Sequence, residues 1–487
     1  MRISTFAGML VTLVPAWGMA QAPVLPSGLG SSSPQQTPPD ETATPSLPAG
    51  LDGGEQDKEQ APALPTGLDG SAEASREDDD PTSGGRWLDN VTGFWDLRAG
   101  SRLQDDPAQD EAFVLGEARL QLSRTWYTDA ATTTVTGDFL YDPVAEEQEV
   151  DLETGQGWFD LREANVLLRP LDAVDAKIGR QVLTWGVGDL VFLNDLFPKD
   201  FVSFFNGRDV EYLKAPSDAV RVSLFGDAAN LDLVYTPRFD PDRFITGERL
   251  SWFNPVEGRV TGDDAVISPA VPGDWFNDDE IAARLYRNAG AFELAAYAYN
   301  GFWKDPMGMA VSGELFFPAL SVYGTSLRGP GAGGIVSAEF AYYDSREDRA
   351  GDDPRLPNSQ WRTLVGFERE LLPEFTAGVQ YYTEITDDFG ALRDALPQSA
   401  DAGDRIRHTL TLRLTKLAMN QRLTLSAFNF WSPSADDGHL RFTAGYKVTD
   451  DWLVEAGVNA FYGPDETSFF GQLKDNTNAF VAVRRGF

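Results

Sequence analysis

Glu117-Ala118-Arg119-Leu120-Gln121-Leu122-Ser123 alternates polar and apolar side chains without a break. In an extended chain successive side chains point to opposite faces, so Ala118, Leu120 and Leu122 share one face. Glu117, Arg119, Gln121 and Ser123 share the other. The rule returns in Arg407-His408-Thr409-Leu410-Thr411-Leu412-Arg413-Leu414-Thr415 and in Leu440-Arg441-Phe442-Thr443-Ala444-Gly445-Tyr446-Lys447-Val448. Each is a strand with one apolar face.

Working outward, residues 87–487 divide into about eighteen such segments, sixteen being the alternative count. Two of them are drawn at 176–185 and 219–225. The connections alternate in character. Tight turns follow the even strands: Thr128 to Ala131, Gly226 to Asn230, Asn288 to Gly290, Leu417 to Asn420 and Thr449 to Asp450. Longer acidic or Gly/Pro-rich loops follow most odd ones: Pro143 to Trp158, Gly186 to Asp218, Phe239 to Asp279, Phe302 to Phe317 and Thr386 to Arg405. Short turns on one rim and long loops on the other mark a transmembrane barrel. The expected fold is therefore all-β, a transmembrane antiparallel up-and-down β-barrel. An even strand count puts both ends on the periplasmic rim. Trp126, Tyr127, Tyr141, Tyr299, Trp431, Trp452 and Tyr462 fall near strand ends, as interfacial girdles require; a soluble sandwich core is the alternative reading of these aromatics.

The ends fit export. Arg2, the apolar run Phe6 to Trp17 and the small residues around Ala20 and Ala22 read as a signal peptide, residues 1–22. At about 12 residues the run is too short to span a bilayer. Ala479, Val481, Val483 and Phe487 share a face of the last strand, with Arg485 breaking the alternation. A terminal aromatic resembles the signal that the barrel insertion machinery reads, which makes that machinery and outer-membrane lipid the expected partners. The localisation read from these features is the outer membrane of a Gram-negative bacterium.

Between them, residues 23–86 are rich in Pro, Gly, Ser and acidic residues, a composition expected to stay disordered in the periplasm. The tail contains Leu25-Pro26-Ser27-Gly28-Leu29, Leu47-Pro48-Ala49-Gly50-Leu51 and Leu64-Pro65-Thr66-Gly67-Leu68. The irregular spacing excludes a solenoid repeat. Biased composition is the bland reading. Leucines kept in register around a Pro-fixed turn favour short docking motifs for a periplasmic carrier or inner-membrane transporter, with avidity from three copies.

The chain of 487 residues carries a formal net charge of −35, which disfavours nucleic acid as a partner. It has no cysteine and two histidines, so thiol chemistry is excluded and no metal or cofactor is called for. His408 and His439 belong to no recognisable catalytic motif, and we expect no enzyme.

An eighteen-stranded barrel is too wide to be filled by its own strand side chains. Its inward face is expected to hold Glu117, Arg119, Asp138, Lys177, Gln181, Arg407, Arg413, Arg441 and Lys447, lining water. Gly179-Arg180-Gln181-Val182-Leu183-Thr184-Trp185-Gly186 opens the third long loop. This G-R-Q-x-x-x-W-G run resembles one in a porin-like family of proteobacterial outer-membrane proteins of poorly defined function. Porins in general fold their third loop inward as a constriction. The resemblance thus implies constriction residues Asp195, Lys199, Asp200, Arg208, Asp209 and Lys214; the alternative is that these charges pair to fix the loop. Three functions stay open. One is a channel or transport component for solutes or hydrophobic cargo, with the tail docked to a partner. The others are a passive porin with an inert tail, and an adhesin or structural barrel presenting the 239–279 loop.

Overall fold

The computed structural model describes residues 90–144, 149–397 and 402–487. The signal-peptide, tail and docking-motif readings lie outside the described residues. Eighteen strands form the wall: β1 Val91–Arg102, β2 Phe113–Tyr127, β3 Ala131–Tyr141, β4 Phe159–Leu171, β5 Val174–Val182, β6 Pro216–Leu224, β7 Asn230–Thr236, β8 Glu280–Ala289 and β9 Phe292–Phe302. The circuit continues through β10 Ala319–Gly331, β11 Gly334–Ser345, β12 Gln360–Leu372, β13 Phe375–Thr386, β14 Ile406–Ala418, β15 Leu423–Ser432, β16 Asp437–Lys447, β17 Trp452–Tyr462 and β18 Asn478–Gly486. Each pairs antiparallel with its neighbour in sequence. β1 pairs with both β2 and β18, Trp95 opposing Leu120 and Arg485, so the sheet closes. Closure leaves no edge strand and satisfies every ladder within the wall, which is the condition for crossing a bilayer as β-structure.

The alternation read from sequence sorts the two faces. Leu97, Leu120, Leu285, Val365, Leu412 and Val481 point outward and are more than a third exposed. Outward aromatics gather at the rims: Trp95 meets Trp452 edge-on at 5.1 Å, with the Arg485 guanidinium 5.6 Å from the Trp452 ring. Arg485, which breaks the apolar pattern of β18, is thus a cation resting on an interfacial ring at the tight-turn rim. Tyr299 departs from the girdle expected of it. It faces inward and donates its hydroxyl to Glu280 Oε1 at 2.5 Å.

The tight-turn rim is regular, with connections as short as 172–173, 290–291, 332–333 and 373–374. The opposite rim carries the long segments, apart from the short link 433–436 between β15 and β16. The strands drawn at 176–185 and 219–225 differ from expectation. β5 stops at Val182 and β6 starts at Pro216, and Leu183, Thr184 and Trp185 leave the wall for the interior.

Candidate functional site

The core lies inside the barrel and is made by residues 183–215. Leu183, Trp185, Leu190, Val191, Phe192, Leu193, Leu196 and Phe197 form one buried apolar cluster with inward residues of the wall, among them Tyr297, Val322, Tyr343, Leu364, Tyr382 and Phe428. The segment folds inward because its apolar side chains find an apolar arc from β6 to β15, and burying such side chains stabilises by about 1.5–3 kcal/mol each.

The Gly-Arg-Gln run secures its departure. Arg180 binds Asp218 at 2.9 Å and the Leu161 carbonyl at 2.7 Å; Gln181 donates to the Ala219 carbonyl at 3.0 Å. Trp185 packs edge-on against Phe197, centroids 4.9 Å apart. At Gly186 the chain turns with φ 83°, which a side chain would strain. The next two amides, of Val187 and Gly188, donate to Glu339 Oε1 at 2.5 and 2.7 Å, and Asn194 Nδ2 donates to Glu339 Oε2 at 2.6 Å. One buried carboxylate on β11 therefore gathers three donors from the segment. Its far tip reaches β13 and β14. Asp189 exchanges backbone bonds with the Gln380 amide at 2.8 and 2.6 Å and accepts from Arg413.

The return half crosses a polar arc. Asp200 caps the helix α1, Phe201–Asn206, accepting from Ser203 N and Ser203 Oγ, both at 2.7 Å. Arg441 donates to the Phe204 and Arg208 carbonyls, and Asn459 and Asn478 donate to the Phe205 carbonyl. These carbonyls sit at a short helix's end, where the backbone has no internal partner. The Phe205 ring stands edge-on to His439 and Phe461. Beyond α1, Tyr212 lies beneath Arg119, 3.9 Å from guanidinium to ring centroid.

The residues singled out from sequence take definite places. Of the six named on the third loop, five sit in ion pairs: Asp195 with Lys199 at 3.0 Å, Asp200 with Arg243 at 3.4 Å, Arg208 with Glu117 at 2.8 Å and Asp209 with Arg484 at 3.2 Å. Lys214 pairs through its backbone with Lys199. On the wall, Arg119 bridges Glu117 and Asp138, Arg413 holds Asp189, and Arg407 meets Glu384 at 3.1 Å. Lys177 lies 3.5 Å from Glu163, and Lys447 is exposed near the tight-turn rim. Glu117, Arg119, Asp138, Gln181 and Arg441 were expected to line water and instead are buried, with Glu117, Arg119 and Arg441 meeting Arg208, Tyr212 and the Phe204 carbonyl of the inserted segment. Arg208, Tyr212 and Phe204 lie far from these residues in sequence, so alternation reveals their face but not what covers it. Glu339, Arg243 and Arg484 were not singled out. Glu339 had a usable signal, an acid in phase with the inward Ala341 and Tyr343 of its strand.

These features define a class: a transmembrane antiparallel β-barrel whose interior is occupied by its own β5–β6 segment. No protein-family model matches the chain, and no curated protein sequence matches it either. Among solved structures the chain is similar to engineered variants of the Rhodopseudomonas blastica porin. Two show 12% identity over 82% of this chain and 99% of theirs, with TM-scores of 0.36 and 0.37. A triple mutant of that porin gives 12% identity, the same coverage and a TM-score of 0.36. The barrel is shown by its own closed register.

Proposed function

We propose that the protein is an outer-membrane transport component of a Gram-negative bacterium. It moves solutes or hydrophobic cargo through a lumen gated by residues 183–215. One observation carries this reading. β5 and β6 pair directly, down to Val182 opposite Pro216, so the wall is complete without the segment between them. The plug is a lobe hung from adjacent points, held to the wall by side-chain bonds and packing rather than woven into the sheet. Such a lobe can change position while the barrel stays closed.

In the same reading the three Leu-Pro-x-Gly-Leu motifs dock a periplasmic carrier or inner-membrane transporter. A second reading, a passive pore with a fixed plug, is favoured by the ion pairs that neutralise five of the six third-loop candidates. Planar-bilayer recordings of the full chain and of Asp189→Ala distinguish the two. Gating predicts transitions between conductance levels that lengthen in the open level when the tip is freed. A single level, unchanged by the substitution, supports the passive pore. Docking is tested by recovery of partners on a tail peptide against one with the six motif leucines changed to Ala; equal recovery removes it.

A further inference from the structure

Above the plug lies residue 237–279, the connection from β7 to β8. Its first turn forms backbone bonds with the plug. Arg243 N donates to the Lys199 carbonyl at 2.8 Å, and Phe201 N donates to the Arg243 carbonyl at 3.1 Å. Lys199 N donates to Asp242 Oδ1 at 2.7 Å. The Arg243 guanidinium holds both Asp160 oxygens on β4, each at 3.1 Å, and reaches Asp200 of the plug at 3.4 Å. Residues 199–201 are thus clamped between the wall and residues 242–243. We propose that this clamp is a pH-dependent latch, which holds the plug in acid and loosens it towards neutral pH.

The acids around the clamp are crowded together. Asp242 faces Lys199 and Asp195 of the plug, Lys304 and Asp305 of the β9–β10 connection, and Tyr299 of β9. Burial pushes its carboxyl up to about 6, against the pull of Lys199 and Lys304. Burial, with Asp242 beside it, holds Asp305 well above the usual carboxylate range, while Arg362 of β12 opposes. A second pair joins two connections on the same rim. Glu153 of the β3–β4 connection shares a hydrogen bond with Asp240, two residues before Asp242. Burial and the Asp240 charge push Glu153 up to about 7, against Arg238 and Arg180. Asp240 in turn touches Ser217 and Asp218 of β6, Glu280 of β8 and, through its carbonyl, Lys304.

The sign follows from raised values. An acid whose pKa is raised in the clamped state favours that state when protonated. The contribution is fully present below the ordinary carboxylate range and is lost as pH rises through about 6 for Asp242 and about 7 for Glu153. Above that window two half-buried like-charged contacts strain the clamp.

The latch acts on the same plug that gates in the reading above. Its readout, amide exchange, works whether or not the barrel conducts, so the two can fail separately. The test is hydrogen exchange of the Lys199, Phe201 and Arg243 amides in the full folded chain at pH 5 and pH 8, corrected for intrinsic rates. Protection is expected to be about tenfold greater at pH 5. Asp242→Asn with Asp305→Asn retains the acceptor for Lys199 N and is expected to remove the part of the pH dependence that Asp242 contributes, leaving the part that follows Glu153. Glu153→Gln alone should remove part of the pH dependence. Equal protection at both pH values, or wild-type pH dependence in the amide variants, would overturn the latch.

Discussion

Arg413 of β14 donates to Asp189 Oδ1 at 2.7 Å, which fastens the plug to the strand nine places round an eighteen-strand circuit from β5, where the plug leaves the wall. The plug therefore spans the lumen from one side to the other. The pair is partly exposed, so its contribution to stability is on the order of 1 kcal/mol or less. Its importance is positional: it holds the tip and leaves the wall unaffected.

Glu339 is the stronger anchor. Replacing it with Ala removes one acceptor group and orphans the Val187, Gly188 and Asn194 donors in a buried site. A loss of about 3 kcal/mol is expected. Glu339→Gln keeps one carbonyl acceptor and should lose less. Urea unfolding of the detergent-folded barrel reads the difference; equal midpoints for Ala and wild type would contradict this role.

Gly324 on β10 lets the plug approach the wall. A Cβ there would stand 1.7 Å from Asn194 Oδ1. Gly324→Ala should displace Asn194 and raise amide exchange in residues 187–194 far more than in β10 and β11, where the Phe340 carbonyl stands 2.9 Å from the added Cβ. Adding Asn194→Gly should restore protection in the flanking residues. Failure of that rescue would mean that the glycine serves the strand and not the plug.

The faces of the wall can be tested one residue apart. Leu412 points outward on β14 beside the inward Arg413. Leu412→Arg should destabilise the folded barrel in lipid vesicles by about 2–4 kcal/mol. Gln380→Ala, which faces inward, should cost less than half of that. Reversal of this order in unfolding titrations would exchange the faces.

The wall was legible in sequence because period two and the alternation of turns and loops are local signals. All eighteen strands follow from them. The ends of β5 and β6 were not legible, because Leu183 and Trp185 continue an apolar pattern that suits lipid and the lumen equally. Their true environment depends on Phe197, Tyr297 and Leu364, which only the folded chain brings together. Tyr299 was misread as a girdle residue although its phase matches the inward Tyr297. The charges of the third loop were visible, but their partners Glu117, Arg243 and Arg484 lie on distant elements.

Phe487 allows a part in the seam to be told from a part in insertion. Phe487 exchanges backbone bonds with Gly93 at 2.9 and 3.0 Å, while its ring is exposed. Phe487→Ala retains both bonds and removes the aromatic. Its assembly in cells should fall, with little change in unassisted folding into vesicles. Deleting Phe487 should impair both. Normal assembly of the alanine variant in cells would refute a role for the ring in insertion.

The chain has no cysteine, so Asp189→Cys with Arg413→Cys places a single thiol pair between plug tip and wall. Single-channel recording before and after bridging this pair with a short thiol crosslinker tests the central claim most directly. A gate predicts that bridging holds the barrel at its low-conductance level and that reductive release of a cleavable bridge restores the transitions. Identical traces in a conducting barrel before and after bridging would contradict gating by residues 183–215.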